Sequence, residues 1–140
     1  MNEQANTEVI RSTYAAFNKG DMDAIMSHIA DDAKWNNQGA PNVPYAGSYE
    51  GKTEIPKFFQ AIAEATSGGQ VVAEEFIAQG DRVVAVGRYR ATVRATGAPI
   101  DSPIAHVFTV RDGKIASWDG FSDTAKVSAA HAQQSASAGR

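Results

Sequence analysis

Near Gln70 the hydrophobic period of this 140-residue chain changes from helical to two, and no other feature constrains the fold as much. Before the switch, Val9, Ile10, Thr13, Tyr14 and Phe17 recur at helix spacing and predict one helix over residues 7–18. Lys19-Gly20-Asp21 stops it, and Asp21 can cap a second helix whose apolar stripe is Met22, Ile25, Met26 and Ile29. Asp31-Asp32 is expected to end that helix, with a short strand over 33–36 and a long loop over 37–50 that holds two prolines. Long ordered loops often flank binding sites. Thr53 is placed as the cap of a third helix, with Pro56 in its first turn, Ile55, Phe58, Phe59 and Ile62 on its apolar face, and Ser67-Gly68-Gly69 as its stop.

After the switch the chain reads as strands joined by tight turns. They cover 71–79, 82–95, 100–110 and 114–121, and Gly80-Asp81, residues 96–99 and Arg111-Asp112-Gly113 turn the chain between them. In the second strand Val83, Ala85, Gly87, Tyr89, Ala91 and Val93 share one face, and Val84, Val86, Arg88, Arg90, Thr92 and Arg94 share the other. In the third, Ile100, Ser102, Ile104, His106 and Phe108 share a face. Asp123 can cap a short C-terminal helix. Helices first and hairpin-linked strands after give an α+β domain. The expected form is a cone-shaped, curved antiparallel sheet with three N-terminal helices on its concave face and an apolar pocket at the wide end. The domain is expected over residues 1–131, with a small, polar, disordered tail over 132–140.

Composition excludes several functions. Without cysteine there is no disulfide, thiolate nucleophile or cysteine metal site. A net charge of −3 with no basic cluster argues against nucleic acid as partner. No apolar run is long enough for a membrane span, and the polar first eight residues lack a signal-peptide core, so the expected compartment is the cytoplasm. Asp31 and Asp32 lack a third ligand at metal spacing, so no metal site is expected.

Several segments resemble one family in order and spacing. They are residues 14–21 (YAAFNKGD), 30–35 (ADDAKW), 49–52 (YEGK) leading into Phe58-Phe59, 106–115 (HVFTVRDGKI) and Asp123-Thr124. Together they are similar to SnoaL-like proteins, the ketosteroid-isomerase-related branch of the nuclear-transport-factor-two-like superfamily, over about residues 8–129. The resemblance implies a cystatin-like roll. It does not imply one activity, because the superfamily holds isomerases, cyclases, dehydratases, epoxide hydrolases and non-enzymes. Ketosteroid isomerases use a carboxylate base with a tyrosine and a protonated aspartate. By position these fall near Asn37, Thr13 (one step from Tyr14) and His106, and none matches. SnoaL-like cyclases are nearer, with a histidine on this strand, but their acidic partner on the last strand falls near Gly120. Asp119 is adjacent and should point to the other face. An epoxide-hydrolase reading needs pocket-facing carboxylates, and Asp101 is in the wrong strand phase.

His106 is the leading candidate for chemistry, beside Ile104 and Phe108 on the concave face; the alternative is a core histidine satisfied by a neighbour. If the turn centres on Gly97, Tyr89 lies across from it within about a residue. Tyr14 and Asn37 are the other candidate catalytic groups, with helix packing and turn formation as their structural alternatives. Trp35, Phe58, Phe59, Tyr89, Ile104, Phe108 and Trp118 are candidate ligand-binding residues or core. His28 and His131 are expected to face solvent. Arginines mixed with valines on the outer face suit either a solvated edge or a homodimer interface. The expected function is a pocket for a small hydrophobic, carbonyl-bearing molecule. Any isomerisation, cyclisation or dehydration there would use acid–base chemistry without a cofactor. The alternative is a non-catalytic ligand-binding or dimerisation module.

Overall fold

The computed structural model describes residues 2–132, so nearly all of the expected tail lies outside the described residues. Helix α1 (Glu3–Lys19) starts at Asn2, whose side chain accepts from the Ala5 N–H. It ends at Gly20, whose left-handed backbone turns its N–H back to the carbonyls of Ala16 and Phe17. Asp21 caps α2 (Met22–Ser27) as expected. The chain then enters β1 (Ile29–Asn37) directly. Asp31 and Asp32 therefore sit within a strand, where Asp32 meets Arg111 at 3.0 Å and Asp31 meets Lys52 at 3.9 Å.

The expected loop over 37–50 contains a short strand, β2 (Gly47–Glu50), paired antiparallel to β1. Helix α3 (Gly51–Ala65) starts two residues before Thr53. Its N-terminal cap position is Glu50, whose backbone N–H donates to the Glu54 carboxylate at 2.8 Å, and Pro56 falls in the second turn rather than the first. Strand β3 (Thr66–Gln79) begins where α3 ends, so Ser67-Gly68-Gly69 makes a bulge within a strand and not a helix stop. Strands β4 (Arg82–Val93), β5 (Pro99–Arg111) and β6 (Lys114–Ser122) follow, then α4 (Thr124–Ala132), whose Lys126 N–H donates to Asp123.

These strands form one curved six-stranded sheet in the order β2-β1-β6-β5-β4-β3. All neighbours are antiparallel except β1 and β6, which are parallel. Three helices precede β3–β6, as the period switch predicts, though β1 and β2 come before α3; a fourth helix follows β6, as the cap at Asp123 predicts. The core lies between α1, α3 and the concave face, where Ile10, Ile29, Ile55, Val83, Phe108 and Ile115 are almost fully buried. Burial of each such side chain stabilises the fold by about 1.5–3 kcal/mol. Asn6 ties α1 to the β3–β4 turn by donating to the Gly80 carbonyl at 3.3 Å.

Candidate functional site

Strand alternation sends one side chain per strand into each row of the concave floor. One row runs Trp35, Trp118, Phe108, Val83 across β1, β6, β5 and β4. The next runs Asn37, Gly120, His106, Ala85. The first row is bulky. In the second, small residues flank His106 on both sides. A cavity of about 110 Å³ opens there.

All ten candidate site residues line this cavity: Tyr14, Trp35, Asn37, Phe58, Phe59, Tyr89, Ile104, His106, Phe108 and Trp118. The partner expected for His106 is different, however. Ala85 lies opposite it, and Tyr89 lies opposite Ser102, four residues along the strand. His106 instead meets Tyr14, with Oη and Nδ1 2.7 Å apart. This is the single side-chain hydrogen bond of His106 among the described residues. The imidazole also packs edge-on against Trp118 at 5.0 Å and Phe108 at 6.2 Å.

His106 is deep in the fold but partly accessible, and because it lines the cavity, that accessible surface faces the cavity. Burial pulls its pKa down from 6.5 to about 3, so the ring is neutral at pH 7. Burial likewise pushes the Tyr14 hydroxyl well above its ordinary value. The pair is thus neutral, and its proton has two placements. If Tyr14 donates to Nδ1, Nε2 carries a hydrogen; if Nδ1 donates to Tyr14, Nε2 carries a lone pair.

The acid that the resemblance places near Gly120 is absent. Asp119 points to the outer face and accepts from the Asn36 amide at 3.1 Å. The volume beside Gly120 holds the Trp118 indole, against which a Cβ at position 120 would collide. Asn37 donates to the Tyr45 carbonyl at 3.3 Å. Tyr89 packs its hydroxyl against Gly69, and burial raises its pKa. Asp101 lies on the outer face, paired with Arg88 at 2.7 Å and Arg90 at 3.5 Å.

Sequence reasoning missed the mouth of the cavity. Val43 and Tyr45 of the 38–46 segment and Thr124 and Val127 of α4 line it. The Tyr45 hydroxyl and His131 Nε2 are 2.9 Å apart, so His131 is a partnered, half-buried residue rather than a solvent-facing one. His28 forms the C-terminal cap of α2 and is partly exposed. The signal available was the length of the 37–50 segment. Among the described residues no His, Asp and Glu group is arranged to hold a metal, and no helix is long and apolar enough to cross a membrane.

A family model described as a SnoaL-like domain matches residues 10–118. No curated protein matches the chain in sequence. Among solved structures, an NTF2-like protein from Burkholderia thailandensis E264 is 32% identical, with a TM-score of 0.81 over 93% of this chain and 98% of that one. TerC, co-crystallised with polyporic acid, is 28% identical, with a TM-score of 0.83 over 91% and 98% of the two chains. A protein from Catenulispora acidiphila DSM 44928 with a ketosteroid isomerase-like fold, in complex with trimethylamine, is 17% identical, with a TM-score of 0.77 over 89% and 92%; at that identity it shows the fold alone.

Proposed function

The chain belongs to the SnoaL-like domain family, and on that premise we propose that it binds a small hydrophobic, carbonyl-bearing molecule and moves a proton on it without a cofactor. The observation that carries this reading is the neutral Tyr14–His106 pair, 2.7 Å apart, on the wall of a mainly apolar cavity. Such a pair is suited to carbonyl chemistry. With its hydrogen on Nε2, His106 can donate to a carbonyl oxygen; with a lone pair there, it can take a proton from the adjacent carbon. Tyr14 selects between these states by accepting or donating at Nδ1. An isolated imidazolium is costly in this wall, so charge would form there only against the opposite charge of an enolate. Asn37 lies in the same sheet row and is available to hydrogen-bond a second polar group of the ligand. That TerC was crystallised with an organic ligand supports a small-molecule pocket in this fold.

A non-catalytic binding module is the second reading, and Gly120 in place of an acid favours it. The two separate on α-proton exchange of cyclohexanone into D₂O, followed by proton NMR. The intact chain should accelerate exchange, and His106→Gln should reduce that acceleration by about a hundredfold to ten-thousandfold. Acceleration that survives His106→Gln would sink the assignment of His106. Binding with no acceleration would leave the module reading.

The outer face of the sheet supports a homodimer as the assembly. The register aligns Ile77, Val84 and Val107 in one row and Val86, Ala105 and Phe121 in another. Ile77, Val72 and Phe121 are 51%, 43% and 44% exposed, which is high for residues this apolar. Light scattering at micromolar concentration should give twice the chain mass, and Val84→Glu should give the monomer mass. A monomer for the unaltered chain would end this assignment.

A further inference from the structure

The small residues around His106 do not leave all of their volume to a ligand. Ala85 and Gly120 flank the imidazole in its row, but the space above Gly120 is taken by Trp118. The Cζ2–Cη2 edge of the indole folds back onto the strand, so that any Cβ at position 120 would strike it. Gly120 has no positive φ, so glycine is needed there for this close approach and not for a turn. The indole is held from its other sides as well. It stacks on Trp35 at 4.9 Å and 26°, and Phe58 packs against it at 5.4 Å. A side chain fixed on three sides in this way is a wall and not a movable flap.

We propose that Trp118, seated on Gly120, sets the size limit of the pocket and confines its ligand to a single small ring. This rests on the carbonyl-ligand reading and gives it a size class. The cavity of about 110 Å³ agrees with that class. An engineered apolar cavity of about 150 Å³ is filled by one benzene. A fused two-ring ligand whose second ring lies beside His106 on the Gly120 side would have to displace the indole, and the indole has nowhere to go while Trp35 and Phe58 hold it. Removing the indole opens the floor directly beside His106, where a second ring would lie.

Calorimetric titration of the full chain with cyclohexanone and with 1-tetralone tests the limit. The unaltered protein should favour the one-ring ketone by about tenfold or more, and Trp118→Ala should shift the affinity ratio toward the two-ring ketone by at least about tenfold. If circular dichroism shows Trp118→Ala to be unfolded, Trp118→Leu keeps an apolar filler and should shift the ratio in the same direction. Equal affinities in the unaltered protein overturn the proposal, as does a ratio unchanged in the folded variant. In either case ketone binding persists and the carbonyl-ligand reading stands. Binding of neither ketone to any variant overturns both.

Discussion

The floor of the pocket and its mouth are built by different means. The floor is the middle of a six-stranded sheet, with neighbours on both sides of β4, β5 and β6 and with Val83, Ala85, Phe108 and Trp118 packed against the helices. Each floor residue is held by its own strand, by the neighbouring strands and by the layer above. The mouth is the 38–46 segment against α4. Val43 and Tyr45 are buried in the core and Val127 and Ala130 pack beside them; the segment is further tied by Tyr45 to His131 at 2.9 Å, by Asn42 donating to the Ser128 carbonyl at 3.0 Å and by Ser128 donating to Asn42 at 2.8 Å. Hydrogen bonds of this kind contribute about 0.5–1.5 kcal/mol each. The mouth is therefore held by side-chain packing and a few side-chain hydrogen bonds, whereas the floor is held by a continuous strand ladder as well. Tyr14 and His106 reach the cavity from α1 and β5, whereas Val43, Tyr45, Thr124 and Val127 reach it from the 38–46 segment and α4.

Three measurements test that contrast. Phe108→Ala removes a floor side chain that is 1% exposed, and it should cost about 3–5 kcal/mol in urea unfolding. A cost near 1 kcal/mol would mean that the floor is as soft as the mouth.

Acid should also act through the floor. The folded-state pKa of His106 is depressed from 6.5 to about 3, so the unfolded chain binds the proton more readily. The contribution of the neutral ring is complete above pH 6.5 and is lost as pH falls toward 3, at up to about 1.4 kcal/mol per pH unit. Unfolding measured at a series of pH values should show this slope, and His106→Gln should remove it. An unchanged slope in the variant would place the acid sensitivity elsewhere.

The smallest effect belongs to the mouth. Tyr45→Phe should cost no more than about 1.5 kcal/mol in stability. It should speed ligand release, read by NMR line shape, and leave ligand selectivity alone. A stability loss on the scale of Phe108→Ala would erase the distinction between the two regions.

Much of the floor was legible in the sequence because alternation is local. Placing His106 with Ile104 and Phe108, and Tyr89 with Val83 and Ala85, needs only a period of two, and Tyr89, Ile104, His106 and Phe108 do line one cavity. Pairing across strands is less accessible. A turn centred on Gly97 would put Tyr89 near His106, but the observed turn lies over residues 94–97, closed by Gly97 N–H to the Val93 carbonyl at 2.8 Å. The observed hairpin centre falls about one and a half residues before Gly97, which moves every partner by about three residues, so His106 faces Ala85 and Tyr89 is carried away from it. The parallel pairing of β1 with β6 and the meeting of Tyr14 with His106 join segments more than eighty residues apart, and no local pattern encodes them. Strand β1 ran longer than expected because its exposed Asp31 and Asp32 imitate a helix end. The mouth escaped because Val43 and Tyr45 follow no period, and only the length of their segment marked it.

The stacked pair of Trp35 and Trp118 has an optical consequence. They are the only two tryptophans in the chain, and both face the cavity. All of the indole emission of this protein therefore originates in the pocket wall, within 4.9 Å centroid to centroid. Rings this close, with His106 against one of them, respond together to polarity, to a quenching ligand and to the charge on the imidazole. The unlabelled protein thus carries a reporter at the place where its ligand is expected. A shift or quench on titration reads occupancy of that site, with no background from tryptophan elsewhere in the fold.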